Sequence, residues 1–418
     1  MAKIDLDLNA IEALNRDILN GMAYEKSRSG PPEDFPELPD IPGGRYVDET
    51  FWEAEWDALW KKSWFYACHS DQLPEAGSYM LWQNTGSPIL IVRGEDQQIR
   101  AFYNTCRHRG APLVMDDAGN ARGLVCSYHG WTYNLEGELL NMRDKRDFVN
   151  LDMSCKSLVP VRCEMFGNWV FVSEDPDAEP LLDYLGPVAT QLMQFQPDRL
   201  RYVDHHGFDV KCNIKVLMDA FLETYHVKSI HQHTVDRFID SRGTTVQLWD
   251  KGHSIMCTPN RREGWRDPGT IGLQHMDTVT DVPRVHNLSF NIFPNFVTPP
   301  HAAGIPVLTF WPKGQNEMRV ESHWFAPDWG EGEIPHKDVW DKRIANWDRI
   351  LFEDTQFAEH IQKSVQSPGF KGVSLSYQER RLYHWHEELD RRIRQHIDNP
   401  PEHLMLDPAM ERWRKSKA

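Results

Sequence analysis

Residues 106–131 read CRHRGAPLVMDDAGNARGLVCSYHGW, and this stretch contains two pairs of metal-binding side chains. The first pair is Cys106 and His108, and the second pair is Cys126 and His129. Each pair follows a short β-type run and stands beside a glycine. We therefore predict two loops, at the tip of a small β-domain, that present two thiolates and two imidazoles together.

This donor set indicates an iron–sulfur cluster. Soft thiolates would hold one iron and imidazoles the other, which is the Rieske [2Fe–2S] arrangement. The alternative is a zinc site, but zinc sites usually combine Cys-x₂₋₄-Cys or His-x₃₋₅-His pairs rather than mixed Cys/His pairs. The other cysteines lack histidines at ligand spacing and are expected to be small buried groups.

The segments around this stretch predict three regions. A helical spacing over 4–22 leads into a Pro/Gly-rich arm, and Asp48 can cap the helix that follows. Short β-type runs then extend from about residue 64 to 175. We divide the chain into an N-terminal helix and arm (1–45), a Rieske β-domain (46–175) and a catalytic domain (176–418).

The C-terminal region mixes strands with long helices. Its β-type runs and helical stretches predict an α+β domain with terminal helices. The predicted strands cover 202–210, 285–297, 306–312 and 318–325, and the predicted helices cover 213–226, 338–364 and 376–397.

A second metal site is indicated by His226 and His231. Two imidazoles and a carboxylate form the facial triad of an Fe(II) oxygenase, which leaves positions open for O₂. Five residues on a regular helix place two side chains about 140° apart. We therefore expect the helix to break around Ser229–Ile230. The candidate carboxylate is Asp354, with Glu353 as the neighbouring alternative.

Charge and composition exclude several functions. The formal net charge is −16, which disfavours nucleic acid and anionic lipid as partners. The first residues do not resemble a signal peptide, and no apolar run is long enough to span a membrane. We expect a cytoplasmic protein. The sequence also has no phosphate-binding glycine motif, so we expect no nucleotide site in this chain.

Taken together, the Rieske pairs, Asn213-Ile-Lys215, Glu223-x-Tyr-His226-x₄-His231 and Glu353-Asp354 resemble the large (α) subunit of Rieske ring-hydroxylating oxygenases. The resemblance implies an antiparallel β Rieske domain joined to a START-like helix-grip domain. It implies one [2Fe–2S] cluster and one Fe²⁺ per subunit. It also implies a head-to-tail homotrimer, with or without a small β-subunit, in which the cluster of one subunit serves the iron of the next.

The family resemblance also implies a bridging carboxylate three residues before the first iron histidine. That position is Glu223 here, where the family usually has Asp, and Asp219 is the rival candidate one helical turn earlier. Asn213 belongs to the same motif and is kept as a candidate site residue. Carboxylates of this kind orient metal-binding imidazoles.

The implied function is that of a terminal oxygenase that uses O₂ and electrons from an external NAD(P)H reductase, directly or through a ferredoxin. We expect it to hydroxylate or O-demethylate a small aromatic compound. Alternatives are a monooxygenase of quaternary ammonium compounds, a Rieske electron carrier without oxygenase activity, and a zinc-stabilised ligand-binding module.

Several side chains are candidates for the substrate pocket. Trp249 and Trp311 would cage a cationic substrate. Arg261 and Arg262 would pair with an acidic substrate, but a solvated loop is the favoured interpretation for them. The predicted apolar lining consists of Phe221, Leu222, Leu288, Phe290, Phe310 and Phe357.

Overall fold

A computed structural model describes residues 5–417, which form two compact units. The smaller unit spans Lys61–Leu181. The larger unit combines the described residues up to Trp60 with those from Leu182 onward. Within the described range, no helix has the length and apolar character needed to cross a membrane.

The strands pair in antiparallel ladders. The strands are β1 (Ile41–Pro42), β2 (Phe65–His69), β3 (Ser78–Trp82), β4 (Ile89–Arg93), β5 (Ile99–Tyr103), β6 (Ala118–Asn120), β7 (Leu124–Val125), β8 (Thr132–Tyr133), β9 (Leu139–Asn141), β10 (Pro160–Phe166), β11 (Trp169–Ser173), β12 (Arg201–Val210), β13 (Thr245–Leu248), β14 (Ser254–Pro259), β15 (His286–Ile292), β16 (Phe296–Thr298), β17 (Ile305–Gly314), β18 (Glu317–Ala326) and β19 (Gly372–Val373). In the smaller unit one sheet has the order β2-β11-β10-β5-β4-β3-β6 and another the order β7-β8-β9. The larger unit has a seven-stranded sheet, β12-β18-β17-β16-β15-β14-β13, and a small β1-β19 pair.

The α-helices belong to the larger unit, apart from the first residue of α3. They are α1 (Leu8–Ser27), α2 (Glu49–Glu55), α3 (Leu181–Leu185), α4 (Pro187–Leu192), α5 (Ile214–Phe221), α6 (Val227–Ile230), α7 (Asp281–Val285), α8 (Lys337–Val365), α9 (Arg380–His396) and α10 (Ala409–Lys415). The predicted α+β class is confirmed. The start of the predicted helix at residue 4 lies outside the described residues.

Helix α2 shows how the sequence defines a helix start. The Asp48 carboxylate accepts a hydrogen bond from the Phe51 amide at 2.8 Å, as expected for an N-cap. Three apolar side chains that follow this cap, Phe51, Leu59 and Trp60, are fully buried and belong to the core.

The observed units differ from the predicted domain boundaries at 46 and 175. Residues 45–60 pack with the larger unit because buried charges hold them there. Lys215 Nζ lies 2.5 Å from Glu55 Oε2, and Arg45 Nη2 lies 2.7 Å from Asp390 Oδ1, with all four side chains buried. Breaking either buried pair would leave an uncompensated charge, so α2 stays with α5 and α9.

Two predicted elements are divided in the structure. The predicted strand over 285–297 is interrupted between β15 and β16, where Pro294 cannot donate a ladder hydrogen bond. The predicted helix over 213–226 ends at Phe221. Beyond it the Glu223 carboxylate accepts the backbone N–H groups of Tyr225 and His226, which competes with helical bonding.

Helix α8 lies along β12 and α5, which gives the larger unit the long helix expected of a helix-grip domain. Its buried side chains include Trp340, Ile344, Leu351 and Ala358. These positions follow the period of one helix face, so burial fixes which side of α8 is directed inward. Asp354 is consequently held on a rigid element.

Candidate metal centres

The two predicted cluster loops have the same backbone design. Cys106 follows β5 and Cys126 follows β7. In each loop a glycine four residues after the cysteine donates its N–H to the cysteine carbonyl, Gly110 at 3.0 Å and Gly130 at 2.8 Å. Both glycines have positive φ, +79° and +73°, a conformation that glycine adopts without steric cost.

The loops bring the four predicted ligands together. Both cysteine side chains are buried, and both histidine side chains are half-buried. The Nδ1 atoms of His108 and His129 lie 3.2 Å apart, and the Cys106 thiol contacts the Tyr133 hydroxyl at 3.4 Å. Paired inner thiols and paired outer imidazoles fit a [2Fe–2S] cluster with one iron on each pair.

Aromatic rings surround the outer imidazoles. Trp131 is buried and stacks on His108, with ring centroids 5.0 Å apart and an interplanar angle of 9°. Tyr128 is exposed and lies against His129. Burial, followed by the nearby charges of His129 and Arg109, lowers the pKa of His108, which favours the neutral ring that a metal requires.

The second centre joins α6 to α8. Asp354 Oδ1 lies 3.0 Å from His231 Nε2 and 3.5 Å from His226 Nε2. The three ligand atoms all lie within 4.8 Å of one another, a spacing that can hold a metal ion. Two imidazoles and one carboxylate fit the facial triad of a mononuclear iron site.

The predicted helix break at Ser229–Ile230 is wrong in position. Both residues belong to α6, where the Ile230 amide donates to the His226 carbonyl at 2.9 Å. The break instead precedes His226. Since α6 is a single turn with one histidine at each end, both imidazoles turn toward Asp354, and their ring centroids are 5.2 Å apart.

A second carboxylate holds the outer nitrogen of each imidazole. Glu223 Oε1 contacts His226 Nδ1, and Glu353 Oε2 lies 2.7 Å from His231 Nδ1. Thr234 Oγ1 also donates to Glu353 at 2.6 Å. Because the Nδ1 atoms are engaged, each ring presents its Nε2 to the metal position, as in metal sites whose ligands are oriented by outer carboxylates.

These carboxylates also change the electrostatics of the imidazoles. Burial would lower the pKa of His226, but Glu223 and Asp354 outweigh it and the pKa is raised. The same balance raises the pKa of His231 through Asp354 and Glu353. Negative charge around both rings therefore favours a bound cation.

Two predicted site residues lie elsewhere. Asp219 accepts a hydrogen bond from the Tyr46 hydroxyl at 2.5 Å and contacts His386 Nε2 at 2.9 Å, so its carboxylate belongs to the core between α5 and α9. Asn213 is the buried N-cap of α5 and accepts from the Lys215 amide at 3.0 Å. Among the three candidates, Glu223 is the carboxylate that contacts an imidazole of the triad.

The roles of Glu353 and Thr234 are only weakly indicated by the sequence. Glu353 was considered only as an alternative to Asp354, although adjacent helix positions can serve a ligand and its support. Thr234 follows His231 by three residues, and its hydroxyl also donates to the His231 carbonyl at 3.3 Å. That spacing is the only sequence signal that connects Thr234 to the site.

A cavity of about 780 Å³ lies beside this centre in the larger unit. Its wall includes Thr234 and Ile350, the latter one helical turn before Asp354. Of the predicted apolar lining, only Leu288 is part of this wall, and Trp249, Trp311, Arg261 and Arg262 are not. Its aromatic side chains are Phe238, Trp265, Trp324 and Trp347.

Comparisons with known families match both units. Residues 63–158 match the Rieske [2Fe–2S] domain, and residues 197–395 match the catalytic domain of ring hydroxylating alpha subunits. The carnitine monooxygenase oxygenase subunit of Escherichia coli (strain K12) is 28% identical over 339 residues, which cover 79% of this chain and 86% of that protein. The large oxygenase component of the naphthalene 1,2-dioxygenase system of Pseudomonas putida is 35% identical over 249 residues, 56% of this chain and 55% of that protein.

Solved structures show the same fold. A quaternary ammonium Rieske monooxygenase in complex with L-carnitine aligns with a TM-score of 0.69 at 22% identity, covering 88% of this chain and 100% of that one. Naphthalene 1,2-dioxygenase from Rhodococcus sp. aligns with a TM-score of 0.72 at 20% identity, covering 92% and 99%.

The combination of a Rieske domain with this catalytic domain defines an oxidoreductase of the non-haem iron class. The chain belongs to the Rieske oxygenases as a large (α) subunit. It binds a [2Fe–2S] cluster in the smaller unit and a mononuclear iron in the larger unit.

Proposed function

We propose that this oxygenase hydroxylates or O-demethylates an aromatic compound. The observation that carries the proposal is the convergence of His226, His231 and Asp354 beside a cavity with aromatic walls. The naphthalene-oxidising relative supports an aromatic substrate. When bound, the iron supplies the activation of O₂, and the protein positions the substrate and excludes competing reactions.

We assign the cluster to Cys106, His108, Cys126 and His129. The thiols are buried and the imidazoles lie at the outer side, so an electron donor would approach the histidines first. We expect this donor to be an NAD(P)H reductase, acting directly or through a ferredoxin. Because NAD(P)H is an intracellular reductant, we place the reaction in the cytoplasm.

We assign the iron to His226, His231 and Asp354, with Glu223 and Glu353 as positioning residues. Three protein ligands leave coordination positions open for O₂ and substrate. Glu353, which accepts a hydrogen bond from Thr234, contacts Nδ1 of His231, and Glu223 contacts Nδ1 of His226. The two imidazoles are thereby fixed before any ligand enters the site.

The position of Glu223 suggests how electrons reach the iron. Its carboxylate holds His226 Nδ1 next to Tyr225, whose side chain is exposed, so this side of the centre is close to the protein surface. We expect Glu223 to connect His226 to the cluster of a neighbouring subunit in a head-to-tail homotrimer, with or without a small β-subunit.

A quaternary ammonium compound is the second candidate substrate. Several of the relatives are named as carnitine or choline monooxygenases, and the carnitine relatives match along most of this chain. Aromatic walls suit such a cation as well as they suit an aromatic ring. Both candidate substrates would react at the same metal centres. They would differ only in how they contact the wall of the cavity.

The decisive experiment compares metal content with turnover. We expect about three irons and two acid-labile sulfides per chain, and O₂ uptake that depends on both substrate and reductase. His226→Ala should abolish O₂ uptake and leave the visible spectrum of the cluster unchanged. His206→Ala, which alters a histidine paired with Asp204 on the exposed part of β12, is the matched control and should keep activity.

Two results would contradict the proposal. Turnover by His226→Ala would show that the assigned iron ligand is not needed. A protein with two irons per chain and no substrate-dependent O₂ uptake would be an electron carrier. A panel of aromatic compounds assayed beside choline and L-carnitine then separates the two candidate substrates.

A further inference from the structure

Basic side chains outnumber carboxylates in the wall of the cavity beside the metal centre. Its basic side chains are Arg237, Arg284, Lys342, Arg343 and Arg349, whereas Asp267 is the one carboxylate in the wall. The chain as a whole carries a net charge of −16, so this local excess of positive charge is opposite to that of the protein. A site with this field attracts anions and repels cations.

Arg343 is the basic side chain of this wall that has a buried donor atom without a hydrogen-bond partner. Among residues 5–417 its guanidinium forms neither an ion pair nor a hydrogen bond, and its Nη1 atom is buried without a partner. It lies beside two indole rings that contact each other edge to face, 5.5 Å from the centroid of Trp324 and 5.4 Å from that of Trp340. These rings fix the guanidinium but offer it no acceptor oxygen.

Neighbouring donors in the same wall also lack acceptors. The Nε1 atoms of Trp324 and Trp347 are buried without a hydrogen-bond partner in the described structure. Indole and guanidinium nitrogens only donate hydrogen bonds. Burial lowers the pKa of Arg343 to about 10, so the group still carries its charge at neutral pH. The wall therefore has several buried donors that lack an acceptor among the described residues.

An unpaired buried charge is costly, and a carboxylate is the partner that a guanidinium fits best, because two parallel hydrogen bonds can form. A quaternary ammonium group would add a second cation beside the first. On these grounds, and resting on the proposed function, we propose that the substrate is an aromatic carboxylate whose carboxylate pairs with Arg343.

Helix α8 also indicates where such a substrate is oxidised. Arg343, Trp347, Ile350 and Asp354 are spaced by four, three and four residues and therefore lie on one face of the helix. At the usual rise per residue, Arg343 and Asp354 are roughly 16 Å apart along the axis. The carboxylate is anchored at one end of the cavity, and the carbon that reacts is remote from it.

Binding of three probes of similar shape tests the proposal. Isothermal titration calorimetry on the holoenzyme would compare 3-phenylpropanoate, its neutral amide and phenethyltrimethylammonium. We expect the acid to bind at least ~10-fold more tightly than the amide, because charge-assisted hydrogen bonds are stronger than neutral ones. The cation should bind most weakly.

Substitutions of Arg343 test whether this residue causes the preference for the acid over the amide. Arg343→Gln should remove the ~10-fold preference for the acid, whereas Arg343→Lys should keep part of it because the charge remains without the planar fork. Arg261→Gln is the matched control, because Arg261 lies outside this wall and pairs with Asp236. It should leave the preference unchanged.

The proposal is overturned if the acid does not bind at millimolar concentration, or if the amide or the cation binds as well as the acid to the unaltered enzyme. These comparisons do not depend on the folding of any variant. Iron and sulfide analysis of the same preparation keeps the two proposals separate. Full metal content with no preference for the acid contradicts only the substrate assignment, whereas absence of the mononuclear iron contradicts the oxygenase assignment.

Discussion

Glu353 and His231 form a contact of 2.7 Å that places a carboxylate on the outer nitrogen of an imidazole of the proposed iron site. Asp354, the next residue on α8, lies 3.0 Å from the inner nitrogen of the same ring. Two consecutive side chains of one helix therefore hold both nitrogens of His231. This arrangement fixes the plane of the imidazole more firmly than the metal alone would.

Glu353→Gln should weaken iron binding by about 10–100-fold, the usual effect of losing a carboxylate that orients a metal-binding histidine. The measurement is the iron retained per chain after dialysis against a chelator, with the cluster followed by its visible absorption. Glu359→Gln, an acidic residue farther along α8, is the control and should retain iron as the unaltered enzyme does.

Glu223 and Asp219 should respond differently to removal of their charge. Glu223→Gln should lower turnover at least ~10-fold with cluster and iron retained, because the carboxylate that orients His226 is neutralised. Asp219→Asn should instead lower the free energy of unfolding by on the order of 1–3 kcal/mol, since Tyr46 and His386 would lose a charged acceptor. O₂ uptake and thermal unfolding measure the two effects, and the opposite pattern would show that Asp219 is the functional carboxylate.

His253 should make the protein less stable in mild acid. The ring is buried, its Nε2–H donates to the Tyr184 carbonyl at 2.8 Å, and its Nδ1 accepts from the Phe293 amide at 3.0 Å, so it must be neutral. Burial lowers its pKa from 6.5 to about 4. Between these values the unfolded chain binds a proton that the folded chain does not, so stability is full above pH 6.5 and is lost as the pH falls toward 4.

The size of this effect follows from the difference of about 2.5 pKa units, which corresponds to about 3 kcal/mol. His253→Gln keeps an N–H donor but does not titrate. Its unfolding midpoint should therefore depend less steeply on pH between 6.5 and 4 than that of the unaltered protein. Equal slopes in denaturant titrations across this range would refute the assignment to His253.

The two cluster-loop glycines should differ in their tolerance of alanine. Both have positive φ, which costs an alanine about 1–2 kcal/mol. A Cβ at Gly110 would meet nothing within 4 Å, whereas a Cβ at Gly130 would lie 3.0 Å from Arg143 Nε. Gly130→Ala should thus lose more acid-labile sulfide per chain than Gly110→Ala, and the reverse order would be inconsistent with these contacts.

A [2Fe–2S] cluster could be predicted from local sequence because its proposed ligands lie in two short loops. Cys106, His108, Cys126 and His129 each follow a strand, and the spacing itself specifies the chemistry. The iron site was harder, because Asp354 is distant in sequence from His226 and His231. Its assignment depended on the family resemblance, and no spacing rule distinguished it from the other acidic residues.

The predicted helix over 213–226 extends too far, because tertiary contacts override the local periodicity. A regular helix would place Asp219 on the same side as Glu223, but α5 ends at Phe221 and Asp219 turns instead to Tyr46 and His386. The cationic wall was also missed, because Arg343 stands within an ordinary amphipathic helix. Only the structure shows that its buried Nη1 atom, beside two indoles, has no acceptor among the described residues.

Because Arg343 and Asp354 lie on one face of α8, this helix sets the distance between the proposed carboxylate anchor and the metal position. The reach between anion anchor and metal is measured in turns of one rigid helix rather than by a flexible loop. The distance can change only by about one helical turn at a time. Trp347→Arg or Ile350→Arg would therefore move the anchor closer to the metal position and select shorter acids. Inserting one residue between anchor and metal would rotate the anchor off the cavity altogether, since each residue turns the helix by about 100°.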